Sequence, residues 1–391
     1  MARAALGAGG TASPASRPLP VDLGSSLDKL MTASAPYISI VGWLRNDGYI
    51  DRYVEHIRHA VGLLARQLQR HAVPSEIILV EWNPPTDRPP MSSLLEGVVS
   101  GGSVSLRMIV VDGRYHRPLV GSAYKGMHSL NAANAGMRRA RGRFIVPKAL
   151  DTYFTDDIIE RIARRQLDED EAYRCDRYDV HLDSNDWLHW GETELFERMS
   201  ENIVQHHARL TQSPYWGIRD LHTNACGDFM LMAARHWHAI RGFQDDPTVL
   251  CLDADSIALH AAAAHGVREV CWPDTCRVYK ISHDHTFTQR VSQDWQSWQT
   301  GLERLLIGGI TTGLAIELRI LFDYPRRRMR GVDGILGPSV ERNFVVKARR
   351  YAKNDTSLIT NTDDWGLAGE PLIEHVLARA EWDTSQVAGA S

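Results

Sequence analysis

Cysteine is scarce and scattered in this sequence. The five residues, Cys175, Cys226, Cys251, Cys271 and Cys276, include no Cys-x-x-Cys pair, which argues against a disulfide framework or zinc ribbon and predicts reduced thiols in a cytoplasmic protein. Basic excess is missing as well, since 44 Lys and Arg stand against 48 Asp and Glu for a net charge of −4. Without a cationic field to neutralise phosphates, nucleic acid is not an expected partner. The most membrane-like run, LLIGGITTGLAI from Leu305 to Ile316, is closely flanked by Glu303, Arg304 and Glu317 and is shorter than the roughly 20 apolar residues that span a bilayer. It reads as a packed helix, and no transmembrane segment is expected. There is no internal repeat, which argues against solenoids and propellers.

What is present is an ordinary globular composition, 43% hydrophobic and 24% charged, enough for a sizeable core. Residues 1–35 are rich in Ala, Gly, Ser and Pro without a continuous apolar run, the signature of a disordered tail. From Tyr37 two periodicities alternate. YISIVGWL is a short apolar, β-branched run ending at Arg45-Asn46-Asp47-Gly48, hence a strand followed by a turn. Ile50, Val54, Ile57, Val61, Leu64 and Leu68 recur at helical spacing before Pro74, which gives one apolar helix face. Glu76 to Val80 and Leu106 to Asp112 read as strands, Ser129 to about Arg141 as a helix, and Arg143 to Pro147 as a fourth strand. This order implies an α/β fold with a mostly parallel central sheet flanked by helices.

In open sheets of this kind ligands sit outside the carboxyl ends of the strands. Asp47, Glu81, Asp112 and Asp151 all fall at such ends. A single strand-end acid commonly caps the next helix or solvates a turn; four together favour a site. Asp156 and Asp157 fit the simpler role, because Thr155 can N-cap a helix from Asp156 and acids in a first turn complement its dipole.

At these residues the sequence resembles the GT-A glycosyltransferases, in particular the family 2 type. The matching segments are YISIVGWLRND, SEIILVEWNPP, NAANAGMRRARGRFIVPKALD, GDFMLMAARHWHAIRGF, LCLDADSIALHAAAAHG and VYKISHDH, which cover most of Tyr37 to His285 in order. The resemblance implies a Rossmann-like GT-A domain over residues 36–288 and a mainly helical C-terminal extension over 289–391. It implies a hexosyltransferase-like enzyme that takes a nucleoside-diphosphate sugar as donor and a carbohydrate or small molecule as acceptor, in polysaccharide or glycoconjugate biosynthesis. By the same resemblance Asp47 and Glu81 lie against the base and ribose, where carboxylates accept from hydroxyl and ring N–H donors. Asn134 belongs to the motif that precedes the donor site.

Asp151 matches the metal-binding acid of the family's Asp-x-Asp motif, and a divalent Mn²⁺ or Mg²⁺ there would neutralise charge on a leaving diphosphate. The earlier acid of that motif is missing, because the strand ends Lys148-Ala149-Leu150-Asp151. Two ways to complete the charge balance stay open. His283 and His285, alternate residues that share a strand face, match a late metal-ligating histidine; Lys148 can instead place a cation beside the diphosphate. Asp228, in Gly227-Asp228 before an apolar strand, is expected beside the acceptor together with Asp255. Asp253 matches the acidic motif from which inverting members draw their base, so inversion at the anomeric carbon is expected.

Two further features have simple structural explanations. Trp187, Trp190 and Trp216 offer faces on which a sugar could stack, although most tryptophans pack in cores. The basic cluster YPRRRMRG at Tyr324 to Gly331 is suited to a solvated face, an anionic acceptor or peripheral membrane contact. Two other functions share such a sheet. A sugar nucleotidyltransferase would open with a Gly-rich, Arg- and Lys-bearing loop that GWLRNDGY does not match, and a non-catalytic nucleotide-sugar-binding protein would tolerate the missing acid.

Overall fold

The computed structural model describes residues 35–48, 50–119, 122, 126–209, 217–245, 254–282 and 340–383. Ile38–Leu44 (β1) is buried along its whole length. Its alternate side chains serve two cores: Ile38 and Ile40 join one apolar cluster, and Val41 and Trp43 the other. A strand covered on both faces reads as a continuous apolar run. Ser75–Trp82 (β2) and Val104–Val111 (β3) follow the same rule.

The helix between β1 and β2, Tyr53–Arg70 (α1), buries Ile57, Val61, Leu64 and Leu68 as its spacing predicts. It begins three residues later than the apolar pattern, because Arg52 is left-handed at φ 51° and cannot continue a helix. Ser129–Arg138 (α2) covers β1 and β2 closely: a Cβ on Gly136 would stand 2.4 Å from Val41 Cγ1. Phe144–Pro147 (β4) pairs with β1 in parallel.

The remaining elements are Thr152–Phe154 (β5), Asp156–Ala163 (α3), Glu171–Arg174 (β6), Asp176–Val180 (β7), Glu192–Glu201 (α4), Ile203–His207 (β8), Leu231–Ala233 (β9), Ala234–Ile240 (α5), Ala254–Ala264 (α6), Arg268–Cys271 (β10), Arg277–Ile281 (β11), Val340–Ala352 (α7) and Ile373–Ala378 (β12). They complete two sheets, one ordered β10-β6-β9-β4-β1-β2-β3-β12 and a smaller one ordered β5-β11-β7-β8.

The large sheet is mixed rather than uniformly parallel. β4, β1, β2 and β3 form the parallel block read from the sequence, whereas β9 runs antiparallel to β4 and β6. The region after residue 289, expected to be mainly helical, supplies α7 and also β12, which pairs antiparallel with β3 from Ile373↔Val110. A strand added there covers backbone groups that β3 would otherwise expose at its edge. Residues 305–316 and the basic cluster at 324–331 lie outside the described residues.

One end of the parallel block is locked by a buried ionic network. Glu76 Oε1 accepts from Ser39 Oγ and from the Arg141 amide, both at 2.5 Å, and its Oε2 accepts from Arg107 Nη2 at 2.8 Å. The Gly142 amide donates to Ser39 Oγ at 2.8 Å, and a Cβ on Gly142 would stand 2.5 Å from the Ser39 nitrogen. Arg141 and Gly142 are therefore fold determinants. Thr155 precedes α3 but does not cap it; its hydroxyl donates to the Thr275 carbonyl. Asp156 is held by Arg70 and His71.

Candidate active site

The small sheet has one apolar and one charged face, written by two alternating segments. Tyr178 and Val180 of β7, and Tyr279 and Ile281 of β11, turn into a cluster with Trp187, Leu195 and Met199. The alternate residues Arg177 and Asp179 turn the other way. Register brings Lys280 of β11 beside Asp179 and beside Thr152, and His207 of β8 beside Arg177.

Two acids from the large sheet's side meet this face. Asp151 follows β4 in the turn to β5, and its carbonyl accepts from the Ile281 amide at 3.1 Å. Asp228 ends the short turn Cys226–Asp228. Lys280 Nζ stands 3.6 Å from Asp151 Oδ2 and 3.7 Å from Asp228 Oδ1. The Arg177 guanidinium reaches Asp228 Oδ2 at 2.6 Å and Asp179 Oδ1 at 2.8 Å. Burial alone would raise the Asp228 carboxyl's pKa, but Lys280 and Arg177 outweigh burial and hold it below the ordinary carboxylate value. For Lys280, burial favours the neutral amine, while Asp151 and Asp228 reverse this and raise its pKa. Both groups are therefore charged at neutral pH. The cluster is still open to solvent: the side chain of Lys280 is 28% exposed and that of Asp151 18%.

Asp255 positions Asp228. Its Oδ2 accepts from the Gly227 amide and its Oδ1 from the Ser256 amide, both at 2.8 Å. Gly227 has no room for a side chain, since a Cβ would stand 2.9 Å from Asp255 Oδ2. Asp255 thus ties the start of α6 to the turn that presents Asp228, the tie resting on backbone amides.

Tyr53 is buried at the start of α1. Burial raises the pKa of its hydroxyl, and the charges of Asp47, Asp151 and Glu81 raise it further. Asp47 pairs with Arg45 at 2.7 Å. Arg45 in turn donates to the Asn83 carbonyl at 2.7 Å, and Asn83 Nδ2 donates to the Gly126 carbonyl at 3.0 Å. The ends of β1 and β2 and the approach to α2 are joined there. Glu81 is fully buried and accepts the Met91 amide at 3.2 Å, so it organises the loop after β2 rather than facing solvent. Asp112 caps the short helix Gly113–His116 through the Arg114 amide at 2.7 Å.

Two other expected donor residues have structural duties. Asn134 lies inside the protein, where its Nδ2 donates to the Phe243 carbonyl at 2.7 Å and its Oδ1 accepts from the Phe243 amide at 2.8 Å. It clamps α2 to the segment after α5. Lys148 is only 2% exposed. Its ammonium donates to the Thr152 carbonyl and, at 3.2 Å, to that of Ala149, supporting the Asp151 turn from beneath. Burial lowers its pKa to about 8. Trp187 is buried among His56, His59 and Tyr153 and offers no face to a sugar. Trp216, Asp253, His283 and His285 lie outside the described residues.

Of the expected metal set, Asp151 alone lies among the described residues. Among them no group of three or more His, Cys, Asp or Glu side chains is arranged to hold a metal, and the Lys280 ammonium stands beside both Asp151 and Asp228. Lys280 and Arg177 were missed in the sequence although their strands alternate plainly. Alternation assigns faces, and only the β11–β7 and β11–β5 registers bring the charged faces together.

No protein-family model and no curated protein matches this chain. Among solved structures, a crystal structure of S. aureus TarS 1–349 in complex with UDP-GlcNAc aligns with a TM-score of 0.38 and 10% identity over 64% of this chain and 59% of that one. A crystal structure of S. aureus TarS 1–349 aligns with a TM-score of 0.37 and 9% identity, over 62% of this chain and 60% of that one. The chain thus spans about three fifths of the length of these structures, and likeness this distant leaves function to be argued from the site.

Proposed function

We propose that the protein is a glycosyltransferase of the GT-A, family 2-like kind that moves a sugar from a nucleoside-diphosphate donor to an acceptor hydroxyl with inversion. The observation that carries this reading is the meeting of Asp151, at the end of a parallel strand, with Asp228 on the open charged face of Arg177 and Lys280. Open α/β sheets bind ligands at that end, and a sugar nucleotide needs both kinds of group, acceptors for its hydroxyls and cations for its phosphates.

Asp47 accepts from the base or ribose and Asp151 from donor hydroxyls. Asp228, fixed by Asp255, borders the acceptor. Asp253 takes the acceptor proton. Asp228 suits that task poorly, because Arg177 and Lys280 lower its basicity, and both oxygens of Asp255 already accept backbone amides.

A thermal-shift screen of nucleoside diphosphates and their sugars, with and without Mn²⁺, tests the reading, since a ligand bound to the native state raises its stability by about 2.7 kcal/mol at a concentration 100-fold above Kd. One or more sugar nucleotides should raise the melting temperature of the parent. Asp151→Ala should shrink the rise for the sugar nucleotide more than for the matching diphosphate, because a carboxylate accepts from sugar hydroxyls and repels phosphate. No rise with any donor would contradict the proposal.

A further inference from the structure

Lys280 stands beside Asp151, the carboxylate that the resemblance names as a metal ligand. Its ammonium lies between Asp151 Oδ2 and Asp228 Oδ1 at 3.6 and 3.7 Å, separations at which a cation is attracted to both carboxylates without being locked into a short hydrogen bond to either. Backbone pairing on both sides of β11 puts it there. β11 is held antiparallel to β5 with Lys280 opposite Thr152, the residue after Asp151. It is held parallel to β7 with Lys280 opposite Asp179. The Ile281 amide bonds the Asp151 carbonyl at 3.1 Å. Lys148, the other lysine in reach, already donates to the carbonyls of Ala149 and Thr152 and is buried. Lys280 keeps 28% of its side chain exposed.

We propose that Lys280, backed by Arg177, is the cation that binds and neutralises the donor diphosphate, so that donor binding needs no divalent metal. This rests on the glycosyltransferase reading and assigns its charge balance. In transfer, the acceptor oxygen bonds to the anomeric carbon and its proton passes to Asp253. The bond from that carbon to the β-phosphate oxygen breaks, and the electron pair leaves on that oxygen. The terminal phosphate thereby gains one negative charge, opposite the fixed ammonium. Preorganised charge aimed where charge develops needs no rearrangement during the step. Arg177 holds Asp228 at 2.6 Å and Asp179 at 2.8 Å, which keeps Asp228 from closing onto Lys280 as a tight pair.

Titration calorimetry of the full chain with UDP, GDP and ADP, in excess EDTA and again with Mn²⁺, tests this. The expected result is that at least one diphosphate binds in EDTA and that Mn²⁺ changes its Kd by less than about threefold. Lys280→Met should weaken it by about tenfold or more, equivalent to about 1.4 kcal/mol. Lys280→Arg, which keeps the charge, should restore most of the affinity and guards against misreading a folding defect as lost binding. Binding only when Mn²⁺ is present, or a folded Lys280→Met that binds as tightly as the parent, would overturn the inference while leaving the glycosyltransferase reading in place. Failure of every diphosphate and every sugar nucleotide to bind under either condition would overturn that reading, and the inference with it.

Discussion

Two ionic clusters of similar make-up among the described residues, one in each sheet, differ in closure. In the large sheet Glu76 is fully buried and receives Ser39, Arg107 and the Arg141 amide, while Arg107 also reaches Glu374 at 2.7 Å and the Arg139 carbonyl at 2.9 Å. Both carboxylate oxygens are engaged, and the network joins β1, β2, β3 and β12. In the small sheet Lys280 touches its carboxylates loosely and remains partly exposed. A buried ionic group that is fully paired specifies structure; one with spare bonding capacity and access to solvent is able to meet a ligand. Closure, rather than the presence of charge, separates scaffold from site.

The comparison is sharpened most on the chemical side. Asp253→Asn removes the proposed base while keeping its size, so kcat should fall by about 10²- to 10⁴-fold with donor Kd unchanged. Rate and affinity measured on the same preparation check this, and retention of more than about a tenth of the parental rate would move the role to another acid.

On the scaffold side, Arg107→Met leaves Glu76 buried without its cation. Breaking one partner of a buried pair costs about 3–5 kcal/mol, which a urea titration would read as a lower midpoint with the slope unchanged. Donor affinity of the folded fraction should stay as in the parent.

A smaller effect separates burial from pairing. His260 of α6 is fully buried edge-on to Phe344, and neither ring nitrogen has a hydrogen-bond partner among the described residues. Burial, helped by the charge of Arg219, lowers its pKa to about 4. The folded protein therefore keeps it neutral while the unfolded chain protonates it below its ordinary value near 6.5. The unfolded state binds more protons in that window, so stability is lost as pH falls from about 6.5 towards 4. His260→Leu should remove this dependence and exceed the parent by about 2 kcal/mol near pH 5 relative to pH 8. Unfolding midpoints at the two pH values decide it.

Much of the fold was legible in the sequence because burial on both faces leaves continuous apolar runs in β1, β2 and β3 and a 3.6-residue pattern in α1. The antiparallel additions were not legible: β12 pairs with β3 across more than 260 residues of chain, and nothing local encodes such a partner. Of the expected site, Asp151 and Asp228 stand at the open cluster and Asp47 pairs with Arg45 just past β1, whereas Asn134, Glu81 and Lys148 are engaged in holding backbone. Their motifs were real signals of packing. An asparagine that clamps a backbone and a glycine that admits a close strand leave the same trace in a sequence as residues that touch a ligand. Lys148 was the lysine placed next to Asp151 by sequence, but the tight turn at 149–152 sends its side chain inward and leaves the cation's position to Lys280.

The central claim, that the open cluster binds donor and the closed one only holds the fold, is tested most directly by the ligand-induced rise in melting temperature of three proteins: the parent, Lys280→Met and Arg107→Met, each with the same saturating nucleoside diphosphate. Arg107→Met should start lower and gain the parental rise, while Lys280→Met should start near the parent and lose most of it. A Lys280→Met protein that gains the full rise would contradict the account.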